Sequence, residues 1–272
     1  MDRKKEKRVN KSRNGYQSRL TTAGRPPVPS LLEIANTPPA PELNAEEFSL
    51  DQTEEIVFAL ALAVEQRDRH TGGHCERLAF ISAALGAAMG LSRAELVALY
   101  RGGFLHDVGK VGIPDSILFK PGKLNPEEWD TMRSHTTRGE EICRHMKSLS
   151  PVLPIIRHHH ERWDGTGYPD GLKGEEIPLV ARVLQIADIY DALTSPRSYK
   201  PAYQPEHALW ILQEETDRGW RDPEIVRFFL KVQKDIIAKA IDYTSAPDRS
   251  LDIMRVSLAN LQNFLTVDSM FA

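Results

Sequence analysis

His74, His106 and Asp188 each fall on the apolar side of an expected helix, and this constrains the fold more than any other feature of the chain. His74, Leu78, Ile81 and Leu85 stand at i, i+4, i+7 and i+11; Leu96, Leu99, Gly103 and His106 at i, i+3, i+7 and i+10; Ala181, Leu184 and Asp188 at i, i+3 and i+7. Burying a carboxylate or imidazole is costly without partners, so these faces must converge on shared polar neighbours. Further candidates sit where helices end. Asp107 follows His106 directly, His135 marks a boundary after Ser134, and His159 and His160 close a helix that starts at Pro151, just before a Gly-rich turn, Asp164-Gly165-Thr166-Gly167-Tyr168-Pro169. The adjacent imidazoles are expected to project in different directions from one backbone, serving two different ions only if other ligands converge nearby.

Helical signals run through the middle of the chain. A helix from about Ser49 or Asp51 reaches Arg67, and the next runs from His74 to Gly90. Ser92 and Glu95 form a capping box, as do Asn125 and Glu128 around Pro126. Glycines 109 and 112 stop the helix after Asp107 and leave Lys110 on a loop. Later helices are expected from Pro178 to Leu193, Pro205 to Asp217, Asp222 to about Ile241 and Leu251 to Leu265. No strand alternation of useful length intervenes, so the expectation is an all-α bundle of seven or more helices.

Three segments follow: a disordered tail and linker over 1–48, one domain over 49–241 and an additional C-terminal helical extension over 242–272. The tail carries nine Lys or Arg against Asp2 and Glu6 up to Arg25, a net of +7, and prolines interrupt it from Pro26 onward. The whole chain, at net charge -3 with 41% hydrophobic residues, has no global bias toward nucleic acid or membrane. No apolar run approaches the roughly 20 residues of a membrane-spanning helix, and no signal-peptide core is evident, so a cytoplasmic protein is expected. Cys75 and Cys143 lack metal-site spacing and read as reduced, buried residues.

His74, His106, Asp107, His135, His159, His160 and Asp188 form a nitrogen and oxygen donor set suited to Fe, Mn, Zn, Co or Ni. Seven donors exceed the needs of one ion. With Asp107 bridging, they could hold two cations about 3.5 to 4 Å apart, lowering the pKa of a bridging water and stabilising both oxygens of an in-line phosphoryl displacement. On spacing alone Lys110 either neutralises charge on the attacked phosphoryl group or is a solvated loop lysine. Arg197 and Lys200 either grip a phosphodiester or face water. His145 and His207 lack this context and read as ordinary histidines.

Leu105-His106-Asp107-Val108-Gly109-Lys110 and Gly167-Tyr168-Pro169 resemble the two tags of the HD-GYP class of bacterial cyclic di-GMP phosphodiesterases. The likeness extends over about Gln52 to Leu230 and includes Thr71-Gly72-Gly73-His74, Ile113-Pro114-Asp115, His159-His160-Glu161-Arg162-Trp163-Asp164-Gly165 and Ala187-Asp188-Ile189-Tyr190-Asp191. It implies an all-helical HD-domain core, two divalent metal ions, often iron or manganese, and hydrolysis of cyclic di-GMP to pGpG and in some members to GMP, by attack of a metal-bridging hydroxide.

By position, the seven donors match metal ligands, with Asp107 and Lys110 as catalytic residues. Lys110, Tyr168, Arg197 and Lys200 match residues that contact substrate. His70 stands where three-metal members carry Glu, and it is a candidate ligand for a third ion. His158 is expected to support the ligands from outside. The class also implies signalling-protein partners through the GYP loop; because only about 50 residues, read as unstructured, precede the catalytic part, any input is expected to arrive through a partner. A non-catalytic cyclic-dinucleotide sensor or docking module, or a phosphodiesterase for 3',3'-cyclic GMP-AMP, are the other functions compatible with these residues.

Overall fold

The structure, a computed structural model, describes residues 52–67, 73–196 and 201–244. These form helices α1 (Gln52–Arg67), α2 (His74–Ala88), α3 (Arg93–Leu105), α4 (Asp115–Leu118), α5 (Pro126–Arg133), α6 (His135–Cys143), α7 (Leu153–His158), α8 (Leu179–Thr194), α9 (Pro205–Asp217) and α10 (Pro223–Thr244). No strand occurs among the described residues, as the missing alternation led one to expect. The tail over 1–48, the extension beyond Thr244 and the positions His70, Arg197 and Lys200 lie outside the described residues.

α2 is the axis of the bundle. Leu78, Ala79, Phe80, Ala83, Leu85 and Ala88 on it are fully shielded from solvent, a run possible because α3, α8 and α10 cover it on different sides. The approach of α3 depends on Gly103: a Cβ there would lie 2.5 Å from the Ala79 backbone, so any larger residue would push the two helices apart. Around this contact Phe58, Phe104, Tyr100 and Phe80 pack edge to face, with successive centroids 5.8, 5.5 and 5.6 Å apart.

The caps follow the sequence. The Ser92 side chain accepts from Glu95 N while Glu95 returns to Ser92 N, and Asn125 and Glu128 do the same at α5. Cys75 and Cys143 are buried and free. Three boundaries differ from expectation. Lys110 lies in a short 3-10 helix, Val108–Gly112, rather than an open loop, because Lys110 N bonds Asp107 O and Ile113 N bonds Lys110 O. α10 continues to Thr244, past the expected end near Ile241, and α7 begins at Leu153 rather than Pro151.

Candidate metal centre

Four histidines are fixed through the same nitrogen. His106 Nδ1 lies 2.9 Å from Gly103 O, His135 Nδ1 2.8 Å from Met132 O and His159 Nδ1 3.0 Å from Ile156 O. A carbonyl can only accept, so each Nδ1 carries a proton and Nε2 is the nitrogen left to face a metal ion. His74 Nδ1 meets Asp191 Oδ2 at 2.7 Å with the same result. Gly103 O lies on α3, Met132 O on α5 and Ile156 O on α7, so the ends of these helices orient the rings, although His135 itself opens α6.

The Nε2 atoms and carboxylates gather in two groups. Asp107, His135, His159 and His160 offer donor atoms within 4.8 Å of one another, and so do His74, His106 and Asp188. Asp107 stands between them: Oδ1 is 3.3 Å from His135 Nε2 and 3.8 Å from His159 Nε2, while Oδ2 is 3.3 Å from His106 Nε2 and 2.8 Å from Lys110 Nζ. In the second group His74 Nε2 is 3.5 Å from Asp188 Oδ1.

These donors fit a pair of divalent cations. Asp107 Oδ1 is buried without a hydrogen-bond partner, and the lone pairs of His135 and His159 Nε2 face each other across 3.5 Å. Both features are unfavourable unless positive charge lies between the atoms. Burial pushes His135, His159 and His160 below the usual imidazole range, favouring the neutral, ligating form. His106 is driven down by burial but more strongly up, to about 9, by the Asp107 carboxylate, an attraction that a cation would replace. Burial opposes charge on Asp107, yet Lys110 and His106 hold it well below the carboxylate range.

A cavity of about 440 Å³ opens onto both groups, lined among others by Glu65, His74, Asp107, Lys110, Trp129 and His160. Its size suits a ligand of several rings. Tyr168 lies beside it, its ring stacked on His160 at 4.9 Å and 28°.

One expectation is corrected. His159 and His160 do not diverge: their centroids are 4.1 Å apart and both enter the same group. α7 ends at His158, and the chain turns after it, so the roughly 100° advance per helical residue no longer separates the rings. His158 groups with Glu161 and Asp170 rather than with the seven donors, with Nδ1 3.7 Å from Glu161 Oε1 and 3.6 Å from Asp170 Oδ2. His145 is exposed, and His207 stacks on the exposed Trp210.

Several supporting residues were not singled out from sequence. Asp191 holds His74 and also accepts from Arg77 Nε at 2.7 Å. Gln185 on α8 donates to His159 O at 2.9 Å and Glu161 O at 2.6 Å, pinning the turn after α7. Gly109, read from sequence only as a helix stop, is also required for contact of the 3-10 helix with α6, since a Cβ would lie 1.9 Å from His135 O. Asp191 was legible as the second acid of an Asp-x-x-Asp pair on one helical face; Gln185 left no local signal.

The family model described as HD domain matches residues 59–225. The chain belongs to the HD domain family. Its two tags put it in the HD-GYP class, as the resemblance implied. It is 40% identical over 202 residues to a cyclic di-GMP phosphodiesterase of Thermotoga maritima, covering 72% of this chain and 54% of that protein. It is also 40% identical over 190 residues to 3'3'-cGAMP-specific phosphodiesterase 2 of Vibrio cholerae, covering 69% of this chain and 36% of that protein. The chain thus spans between about a third and a half of the length of these curated relatives. The HD-domain fold is shared with a cyclic GMP-AMP-specific phosphodiesterase structure from V. cholerae at TM-score 0.55 and 22% identity, covering 75% of this chain and 53% of that one.

Proposed function

We propose that this chain is a metal-dependent phosphodiesterase that hydrolyses cyclic di-GMP to pGpG, with GMP as a further product. The observation that carries the proposal is Asp107, whose two oxygens face separate donor groups at one end of a cavity of about 440 Å³. His135, His159 and His160 with Asp107 would hold one cation, and His74, His106 and Asp188 with Asp107 the other. Iron or manganese suits these donors. When bound, such ions lower the pKa of water and neutralise charge on a phosphoryl group.

The chain's own residues supply the rest. Lys110 Nζ, 2.8 Å from Asp107 Oδ2, can shift its hydrogen bonds onto a phosphate oxygen and offset charge that develops there. Burial pushes the Tyr168 phenol up, so it remains a neutral donor beside the cavity. The apolar wall of Ala61, Val64 and Phe104 keeps bulk water from one side of the reacting group. Arg197 and Lys200, outside the described residues, are proposed to grip the second phosphate. No helix among the described residues is long and apolar enough to cross a membrane.

The relative named for 3'3'-cGAMP supports a second substrate, 3',3'-cyclic GMP-AMP, which presents the same phosphodiester to the same donors. The test is anaerobic purification, metal analysis per chain, and chromatography of both dinucleotides beside a His106→Ala/Asp107→Ala variant. Turnover with two metals, abolished in the variant, is the expected result. Metal-loaded protein that binds either dinucleotide without cleaving it would make the chain a sensor.

A further inference from the structure

Arg133 closes α5, two residues before His135, and is exposed, while Trp129 and Met132 on the same helix line the cavity. Its guanidinium carbon lies 5.7 Å from the Trp129 ring centroid and 5.4 Å from that of Tyr168. Tyr168 in turn stacks on His160, so His160, Tyr168, Arg133 and Trp129 form a layered series from the metal ligands to the rim. Trp129 is 45% exposed although it lines the cavity, leaving ring surface for a planar partner. Among the described residues the Arg133 side chain makes these ring contacts and neither a hydrogen bond nor an ion pair.

A guanidinium fixed by aromatic faces keeps its five donors in a rigid planar fork. Such a fork matches paired acceptors lying in one plane. Guanine offers O6 and N7 on one edge, whereas adenine offers N7 beside an N6 donor that would oppose an arginine N–H. A base that stacks on exposed Trp129 would bring this edge within reach of Arg133.

Resting on the reading of the chain as a cyclic-dinucleotide phosphodiesterase, we propose that Arg133, held between Trp129 and Tyr168, reads the O6/N7 edge of a substrate guanine. It therefore selects guanine over adenine at one base position. Asp107 and the histidines act on the phosphodiester, common to all cyclic dinucleotides, and Arg133 acts on the base.

The experiment compares kcat/KM for cyclic di-GMP, 3',3'-cyclic GMP-AMP, cyclic di-AMP and base-free bis(p-nitrophenyl) phosphate in the metal-loaded wild type, Arg133→Ala and Arg133→Lys. Loss of a bidentate contact should cost cyclic di-GMP on the order of 10- to 100-fold. Cyclic di-AMP and bis(p-nitrophenyl) phosphate should change little. Lysine keeps the charge but not the fork, so Arg133→Lys should resemble alanine in the cyclic di-GMP to cyclic di-AMP ratio. If both dinucleotides fall together, or if lysine restores the ratio, Arg133 grips phosphate and base reading is wrong. The same three dinucleotides are titrated calorimetrically into the His106→Ala/Asp107→Ala protein with and without Arg133→Ala. A wild type that cleaves only the base-free ester would overturn the proposed function, and these titrations would then decide Arg133: an unchanged preference for guanine overturns its role, and a lost one upholds it.

Discussion

Asp191 shows how a single carboxylate, outside both donor groups, can govern one of them. It is buried, accepts from His74 Nδ1 and Arg77, and is held at about 2 by those partners against its burial. Asp191→Asn keeps the shape but weakens the acceptor that fixes the His74 ring. We expect metal affinity at the His74, His106 and Asp188 group to fall about 10- to 100-fold, as for other partners of ligating histidines. The first group should retain its ion. Metal content after dialysis should drop from two toward one per chain with an unchanged helical circular dichroism spectrum; two tightly held ions would refute the role. The seven donors stood out in the sequence as imidazoles and acids on apolar faces or at helix ends, where such groups together have few other uses. The Asp191–His74 pairing was not, since 117 positions separate the partners and only the packing of α2 on α8 brings them together.

At the scale of one element, the turn and loop from Glu161 to Leu172 carry Tyr168 to the centre. Glu161 is fully buried, and its carboxylate accepts from Asp170 N at 2.8 Å and Leu172 N at 3.2 Å. Arg157 on α7 grips Asp170 through Nε at 2.7 Å and Nη2 at 2.8 Å, and pairs with Glu140 on α6. The sequence marks this stretch as a loop through its glycines and proline, but gives no hint that it is held from within, because the carboxylate of Glu161 serves backbone groups rather than side chains. The Arg157 hydrogen bonds hold Asp170 below its ordinary range, against the effect of burial. A depressed folded-state pKa means a contribution to stability that is present above the unfolded value of about 4 and lost as pH falls through the folded value. Hydrogen exchange over 164–172, corrected for intrinsic rates, should therefore be faster in Asp170→Asn than in wild type at pH 7. The gap should close near pH 2. A gap of equal size at both pH values would show that charge on Asp170 does not hold the loop.

Across the whole molecule, the donor groups join parts of the chain that packing alone must otherwise align. His74 comes from α2, His106 and Asp107 from the end of α3, His135 from α6, His159 and His160 from the turn after α7, and Asp188 from α8. Cations that bind only the folded arrangement add their binding free energy to its stability, about 2.7 kcal/mol at a free concentration one hundred times Kd. For a domain of this size each kcal/mol moves the midpoint by roughly 2–4 °C. Manganese at that excess should therefore raise Tm by about 5–10 °C over chelator-treated protein, with no rise in His106→Ala/Asp107→Ala. The comparison separates two ways of building the site. If metal analysis confirms removal and Tm is unchanged, binding to the unfolded chain would have to match binding to the folded one. Scattered donors brought together only by folding make that outcome incompatible with the proposed centre, whereas the expected shift ties the ions to the same packing that sets α3 against α2 through Gly103.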